Sequence, residues 1–175
     1  MTRPTRALVA ATGAALLLAT VFAGAAGAKF TPAWTYVPPA TRAQLAATSG
    51  TLYLPARTPL FYRYRSGATL NAGVLNVRFT NRVRVRQGLW RWTNKTFVWQ
   101  VRPIAKTAVC SSWGGAQKTL QVAGNKVYSS NGTAWRCVTD RKGRVHVLAA
   151  MQGGALPDVA LAIVVASGLD VARRS

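Results

Sequence analysis

The chain has 175 residues, of which 23 are Lys or Arg and only 3 are Asp or Glu, giving a formal net charge of +20. It has one His, two Cys and no Glu, so the usual carriers of proton transfer and metal ligation reduce to Asp140, Asp158, Asp170, His146, Cys110 and Cys137. That leaves little room for acid–base or metal enzymology, and an apolar content of 50% argues for a packed core rather than disorder. A chain this cationic is drawn to anionic matter of any kind: nucleic acid, lipid head groups or acidic envelope polymers.

Residues 1–28 have the layout of a secretory signal peptide. Arg3 and Arg6 form a basic start, an uncharged run from Ala7 follows, and Ala26-Gly27-Ala28 supplies a small-x-small cleavage site before Lys29. An uncleaved anchor is the competing reading, since about 20 apolar residues can span a bilayer. The many Ala and Gly favour cleavage. Export to the envelope or beyond then makes Cys110 and Cys137 a disulfide rather than a reactive pair.

Residues 29–50, rich in Pro, Ala and Thr, read as a linker or N-terminal arm, with a short helix possible over 40–47. From residue 51 the period becomes two. Residues 51–54 form a short strand before Pro55. In residues 60–65, Leu60, Tyr62 and Tyr64 alternate with Phe61, Arg63 and Arg65. The clearest alternation is 75–86: Leu75, Val77, Phe79, Val83 and Val85 on one parity, Arg78, Arg82, Arg84 and Arg86 on the other, with a bend near Asn81. After a turn or bulge at Gln87-Gly88, residues 89–93 and 96–101 read as a hairpin about Asn94-Lys95, which places Trp90, Trp92, Phe97 and Trp99 on one surface as core or as an apolar ligand groove. Four more strands fall at 119–122, 126–129, 134–139 and 144–149, separated by Gly-containing turns. Pro157-Asp158 opens an apolar helix running to Arg173-Arg174, with its charges placed to suit the helix dipole.

These elements predict an α+β domain over residues 51–175: an antiparallel sheet of about seven or eight strands with one C-terminal helix packed on it. The candidate polyanion site is the basic row Arg63, Arg65, Arg78, Arg82, Arg84 and Arg86. Specific nucleic-acid binding is not expected. Its stacking platforms interleave aromatics with cations, whereas here parity separates them. His146 is the one residue on which a hydrolase could be built, and a lone strand His is more often structural. No metal site or cofactor is implied, because Cys110, Cys137 and His146 lack paired ligand spacing.

Two stretches carry a resemblance to a known family. One is Tyr53-Leu54-Pro55 followed by LFYRYR. The other is Gly124-Asn125-Lys126-Val127-Tyr128, then Ala134-Trp135-Arg136, Gly143 and Ala166-Ser167-Gly168-Leu169. Together they resemble bacterial extracytoplasmic domains of unknown function found in membrane-anchored sporulation and anti-sigma-type regulators. The resemblance implies a curved sheet like that of lipoprotein carriers, with a C-terminal helix and a sensing or binding role at the envelope. The Arg-rich middle and the Cys pair depart from that pattern. The functional expectation is a non-enzymatic envelope or secreted protein that binds an anionic polymer or membrane surface. A carrier of lipid or another apolar ligand, and a His146-dependent hydrolase, are the alternatives.

Overall fold

Alternation of apolar and cationic residues gives this chain long strands, and the longest two become neighbours. A computed structural model describes residues 33–49, 51–59, 61–65, 67–153 and 156–172. The expected signal segment, Leu60 and Arg173-Arg174 lie outside them. In chain order, a 3-10 turn at Ala33–Tyr36 leads into α1 (Pro39–Ser49), then β1 (Tyr53–Pro55), β2 (Tyr62–Tyr64), β3 (Thr69–Asn71), β4 (Val74–Arg86) and β5 (Leu89–Ile104). A second 3-10 turn at Cys110–Ser112 precedes β6 (Lys118–Val122), β7 (Asn125–Ser130), β8 (Thr133–Thr139), β9 (Val145–Gln152), α2 (Asp158–Ala166) and β10 (Gly168–Asp170).

Eight strands make one antiparallel sheet in the order β2-β4-β5-β9-β8-β7-β6, with β3 also alongside β4. β1 and β10 form a separate antiparallel pair. The class is α+β, as the sequence predicts. On the first face of the sheet, Val77 lies opposite Trp99 and Phe79 opposite Phe97, and all four are fully buried. The Phe79 and Phe97 rings stack with centroids 4.9 Å apart. Leu148 and Ala150 of β9 continue this core, and α2 covers β6–β9 with Leu161, Ala162, Val164 and Val165. Val37 and Leu45, from the segment before the sheet, join the same core. The Trp99 Nε1–H donates to the Tyr53 carbonyl at 2.9 Å, tying the small sheet to the large one.

The second face is covered locally by the segment between β5 and β6. Trp135, Val147 and Ala149 are fully buried there, packed by Trp113 and by Cys110–Cys137. That disulfide fastens the segment to β8 across a Cα–Cα distance of 5.9 Å. The Trp135 Nε1–H donates to the Cys110 carbonyl at 2.8 Å. Because β9 is covered on both faces, residues 146–150 are all buried and the strand reads as an apolar run rather than an alternation.

Two expectations about element boundaries are corrected. The predicted hairpin about Asn94-Lys95 does not form: β5 runs unbroken through those residues, and the turn lies at Gln87-Gly88. A tight two-residue hairpin favours φ > 0 at its central positions. Gly88 supplies φ +77°, whereas neither Asn94 nor Lys95 is left-handed. The predicted helix also stops early. α2 ends at Ala166, and Gly168–Asp170 pairs with β1 instead. Gly168 lies so close to the core that a Cβ there would be 2.8 Å from both Leu148 and Trp99.

With the helix shortened, the cation at its C-terminal end is one that sequence order hid. Arg136 of β8 donates from Nε to the Val165 carbonyl (3.0 Å), from Nη2 to the Gly168 carbonyl (2.7 Å) and from Nη1 to Asn125 Oδ1 (2.6 Å). It thus satisfies carbonyls at the helix end and matches the negative end of the helix dipole. Arg136→Met is expected to lower the unfolding free energy by about 3 kcal/mol in urea titrations, since three charge-assisted bonds are lost and their acceptors remain. Replacing Cys110 and Cys137 with Ser is expected to cost roughly 3 kcal/mol, seen as a lower Tm that reductant no longer changes.

Candidate functional site

The pairing partners of β4 and β5 run out before the strands do. β9 pairs with β5 only from Phe97 onward, and β2 pairs with β4 only as far as Asn81. Residues 82–92 therefore continue as a two-stranded ribbon, about 16 Å long at strand rise. A bulge sits at its root. Thr80 pairs with Thr96 and Arg82 with Trp92, so Thr93, Asn94 and Lys95 stand against the single residue Asn81. Thr93 Oγ1 donates to the Asn81 carbonyl at 3.2 Å and accepts from the Lys95 N–H at 3.2 Å, filling the gap in the ladder.

The register of the ribbon decides which side chains share a surface. Arg82 lies opposite Trp92 and Arg84 opposite Trp90, and directly opposed residues project from the same face. Val83 and Arg91 share the other face. The expectation that parity keeps aromatics apart from the arginine row is therefore corrected for the ribbon: two Trp and two Arg interleave on one face. The parity argument held along β4, but Trp90 and Trp92 belong to the opposed strand, whose register was misassigned.

The guanidinium groups rest on rings. Arg82 lies 4.6 Å from the Trp90 ring centroid, and Arg65 lies 5.6 Å from that of Trp92. The Phe61 ring is 5.6 Å from Trp90, on a backbone with φ +69°, a left-handed conformation that is costly for a bulky residue. Arg82 Nε is buried and has no hydrogen-bond partner among the described residues. Among the described residues, no carboxylate reaches the ribbon. Asp158 pairs with Lys118 at 3.8 Å, Asp170 accepts the Leu52 and Ala172 N–H groups, and Asp140 is engaged in the turn between β8 and β9.

The predicted basic row is thus only partly one surface. Arg82, Arg84 and Arg86 lie on the ribbon, and Arg78 lies on the sheet below it, opposite Val98. Arg65 reaches the ribbon through Trp92. Arg63 is diverted: its guanidinium lies 4.2 Å from the Tyr36 ring centroid, and Nη1 donates to the Tyr62 carbonyl. The four aromatics assigned to one groove divide in the same way. Phe97 and Trp99 are core, while Trp90 and Trp92 are each 37% exposed on the ribbon. Two shallow pockets, of about 360 and 250 Å3, lie elsewhere, and none of these four aromatics lines either one.

His146 belongs to a separate cluster. Asp140 Oδ1 accepts the N–H groups of Lys142 and Arg144, each at 2.9 Å. Asp140 Oδ2 bonds Arg144 Nε at 2.7 Å and His146 Nε2 at 3.1 Å. The His146 ring lies against Tyr53, with centroids 5.6 Å apart, and lines the smaller pocket with Arg144 and Thr51. Burial alone would raise the Asp140 pKa. The bonds from the Arg144 N–H, His146, the Arg144 guanidinium and the Lys142 N–H outweigh it and hold the carboxyl well below its usual range. This arrangement locks the turn between β8 and β9 and orients the imidazole. Among the described residues no cluster of ligand side chains suits a metal ion.

No family model matches this chain, and no curated protein or solved structure matches it either.

Because its folded pKa is depressed, Asp140 contributes stability above its unfolded value, near pH 4, and that contribution is lost as pH falls through the folded value. Asp140→Asn is expected to lower Tm at neutral pH and to flatten the fall of Tm between about pH 4 and pH 2, as followed by circular dichroism.

Proposed function

We propose that this protein is an exported, non-enzymatic binding domain whose β4–β5 ribbon engages anionic envelope polymers or lipid head groups. The observation that carries this reading is the interleaving of Arg82, Trp90, Arg84 and Trp92 on one exposed face that no carboxylate of the described residues reaches. Arg86 and Arg91 add to the charge of the same ribbon. Cations left without internal partners keep their attraction for an external anion.

Export is supported by the N-terminal pattern, in keeping with a disulfide and with described residues in which no helix is long and apolar enough to cross a membrane. The non-enzymatic reading is supported by the duties of the acidic side chains. Each of the three carboxylates holds a turn, a strand end or a helix start, and Asp140 is saturated by four donors. The resemblance to extracytoplasmic regulator domains points toward the same envelope setting.

The test is retention on immobilised heparin. Arg82→Glu with Arg84→Glu is expected to weaken binding roughly tenfold or more, with retention falling steeply as salt rises. Lys126→Glu with Lys142→Glu, away from the ribbon, should change it far less. Retention that ignores salt, or that depends on the Lys pair instead of the Arg pair, overturns the assignment.

A further inference from the structure

The ribbon carries more apolar surface than an anion-binding site needs. Among the described residues, eight large hydrophobic side chains are exposed, and six of them belong to this ribbon or touch it: Phe61 (40%), Val83 (38%), Val85 (56%), Leu89 (45%), Trp90 and Trp92 (37% each). They are not confined to one side. Val83 shares a face with Arg91, the two Trp occupy the opposite face, and Leu89 follows the turn at the tip. A two-stranded ribbon that is apolar on both faces cannot bury both against its own domain. Such ribbons are also marginal in water without a further layer.

The chemistry of the tip selects among anionic partners. A polysaccharide or polyphosphate would satisfy the arginines and leave Val85 and Leu89 in water. A nucleic acid would stack on Trp90 and Trp92 but would offer nothing to the aliphatic side chains on the other face. A bilayer interface satisfies all three groups. Phosphate takes guanidinium, the head-group layer takes the amphipathic indoles, and the acyl boundary takes Val and Leu. Arginine also suits this depth, since its stem lies in apolar surroundings while its head reaches phosphate.

Building on the anion-binding reading, we propose that the tip of the β4–β5 ribbon seats in the head-group layer of an anionic bilayer. Val85, Leu89 and Trp90 reach the acyl boundary, and Arg82, Arg84, Arg86 and Arg91 lie on lipid phosphates. Insertion is shallow, because the ribbon extends only four residue pairs beyond the sheet, far short of a span.

The experiment uses the full chain with vesicles of phosphatidylcholine, alone or mixed with phosphatidylglycerol, carrying bromine-labelled acyl chains that quench nearby Trp. Residues 1–28 contain no Trp, and the paired Trp substitutions at 90 and 92 separate quenching at the ribbon from quenching at Trp34 near that segment. The expected result is quenching with the mixed vesicles and little with phosphatidylcholine alone. Trp90→Phe with Trp92→Phe should abolish most of that quenching, which assigns it to the ribbon. Val85→Ser with Leu89→Ser, at exposed sites that leave the core intact, should weaken vesicle binding roughly tenfold while heparin retention stays unchanged. Each Arg→Glu change should weaken binding to the mixed vesicles about fivefold or more.

Heparin retention with no quenching by either vesicle overturns the bilayer proposal and leaves the polyanion reading standing. Tighter binding to single-stranded DNA than to vesicles, lost in Trp90→Ala, overturns it in favour of a base-stacking surface. Failure to bind vesicles, heparin and DNA alike overturns both readings. Near-ultraviolet circular dichroism of each variant confirms that the core is retained.

Discussion

Three carboxylates serve a chain with 23 cationic side chains, and that shortage shapes the packing throughout. Conventional ion pairs are few, so cations turn to other acceptors. Arg136 takes two backbone carbonyls and an amide oxygen, and Arg42 donates to the Val37 carbonyl. Several lie on aromatic rings: Arg42, as well as donating to that carbonyl, on Trp34, Arg63 on Tyr36, Arg65 on Trp92, Arg82 on Trp90 and Lys126 on Tyr128. A ring neutralises less charge than a carboxylate and leaves the cation with most of its hydrogen-bonding capacity. The same shortage that limits internal pairing therefore leaves the ribbon electrostatically unsatisfied.

Much of this architecture was legible in the sequence because it depends on local period. The alternation of residues 75–86 identifies β4 and even the irregularity at Asn81, and Gly-containing turns delimit β6 to β9. Relations between elements were harder to read. Whether Trp90 faces Trp99 or Arg84 depends on where the chain reverses: Gln87-Gly88 reads as a turn or bulge and is the turn, whereas a second reversal at Asn94-Lys95 does not occur. The end of α2 was hidden for a related reason. An apolar run continues through Gly168 and Leu169, and only close contact with Trp99 and Leu148 makes a strand the better outcome there. Arg136 gave no signal of its own, since its carbonyl partners lie 29 and 32 residues away.

The candidate site follows from that same register. Once β5 is one long strand, Phe97 and Trp99 remain in the core while Trp90 and Trp92 are carried past the last pairing partner. One continuous element thus has a buried half that anchors and an exposed half that presents aromatic and cationic groups to the surroundings. The bulge between them, braced by Thr93 and Asn81, is where the ladder changes from sheet to ribbon. Rigid support beneath an exposed contact surface reduces the conformational entropy lost on binding.

The pairing of β1 with β10 has a consequence for how the domain is completed. Tyr53–Pro55 has no strand partner until Gly168–Asp170 arrives, and the Trp99 indole bonds to the Tyr53 carbonyl beside that pair. The first and last strands of the described fold are thus laid down together, across more than a hundred residues of intervening chain. A chain folding from its N-terminal side leaves β1 without a strand partner until Gly168–Asp170 has formed. Closure of the small sheet therefore comes late in folding, and loss of β10 would remove a clasp rather than a loose segment.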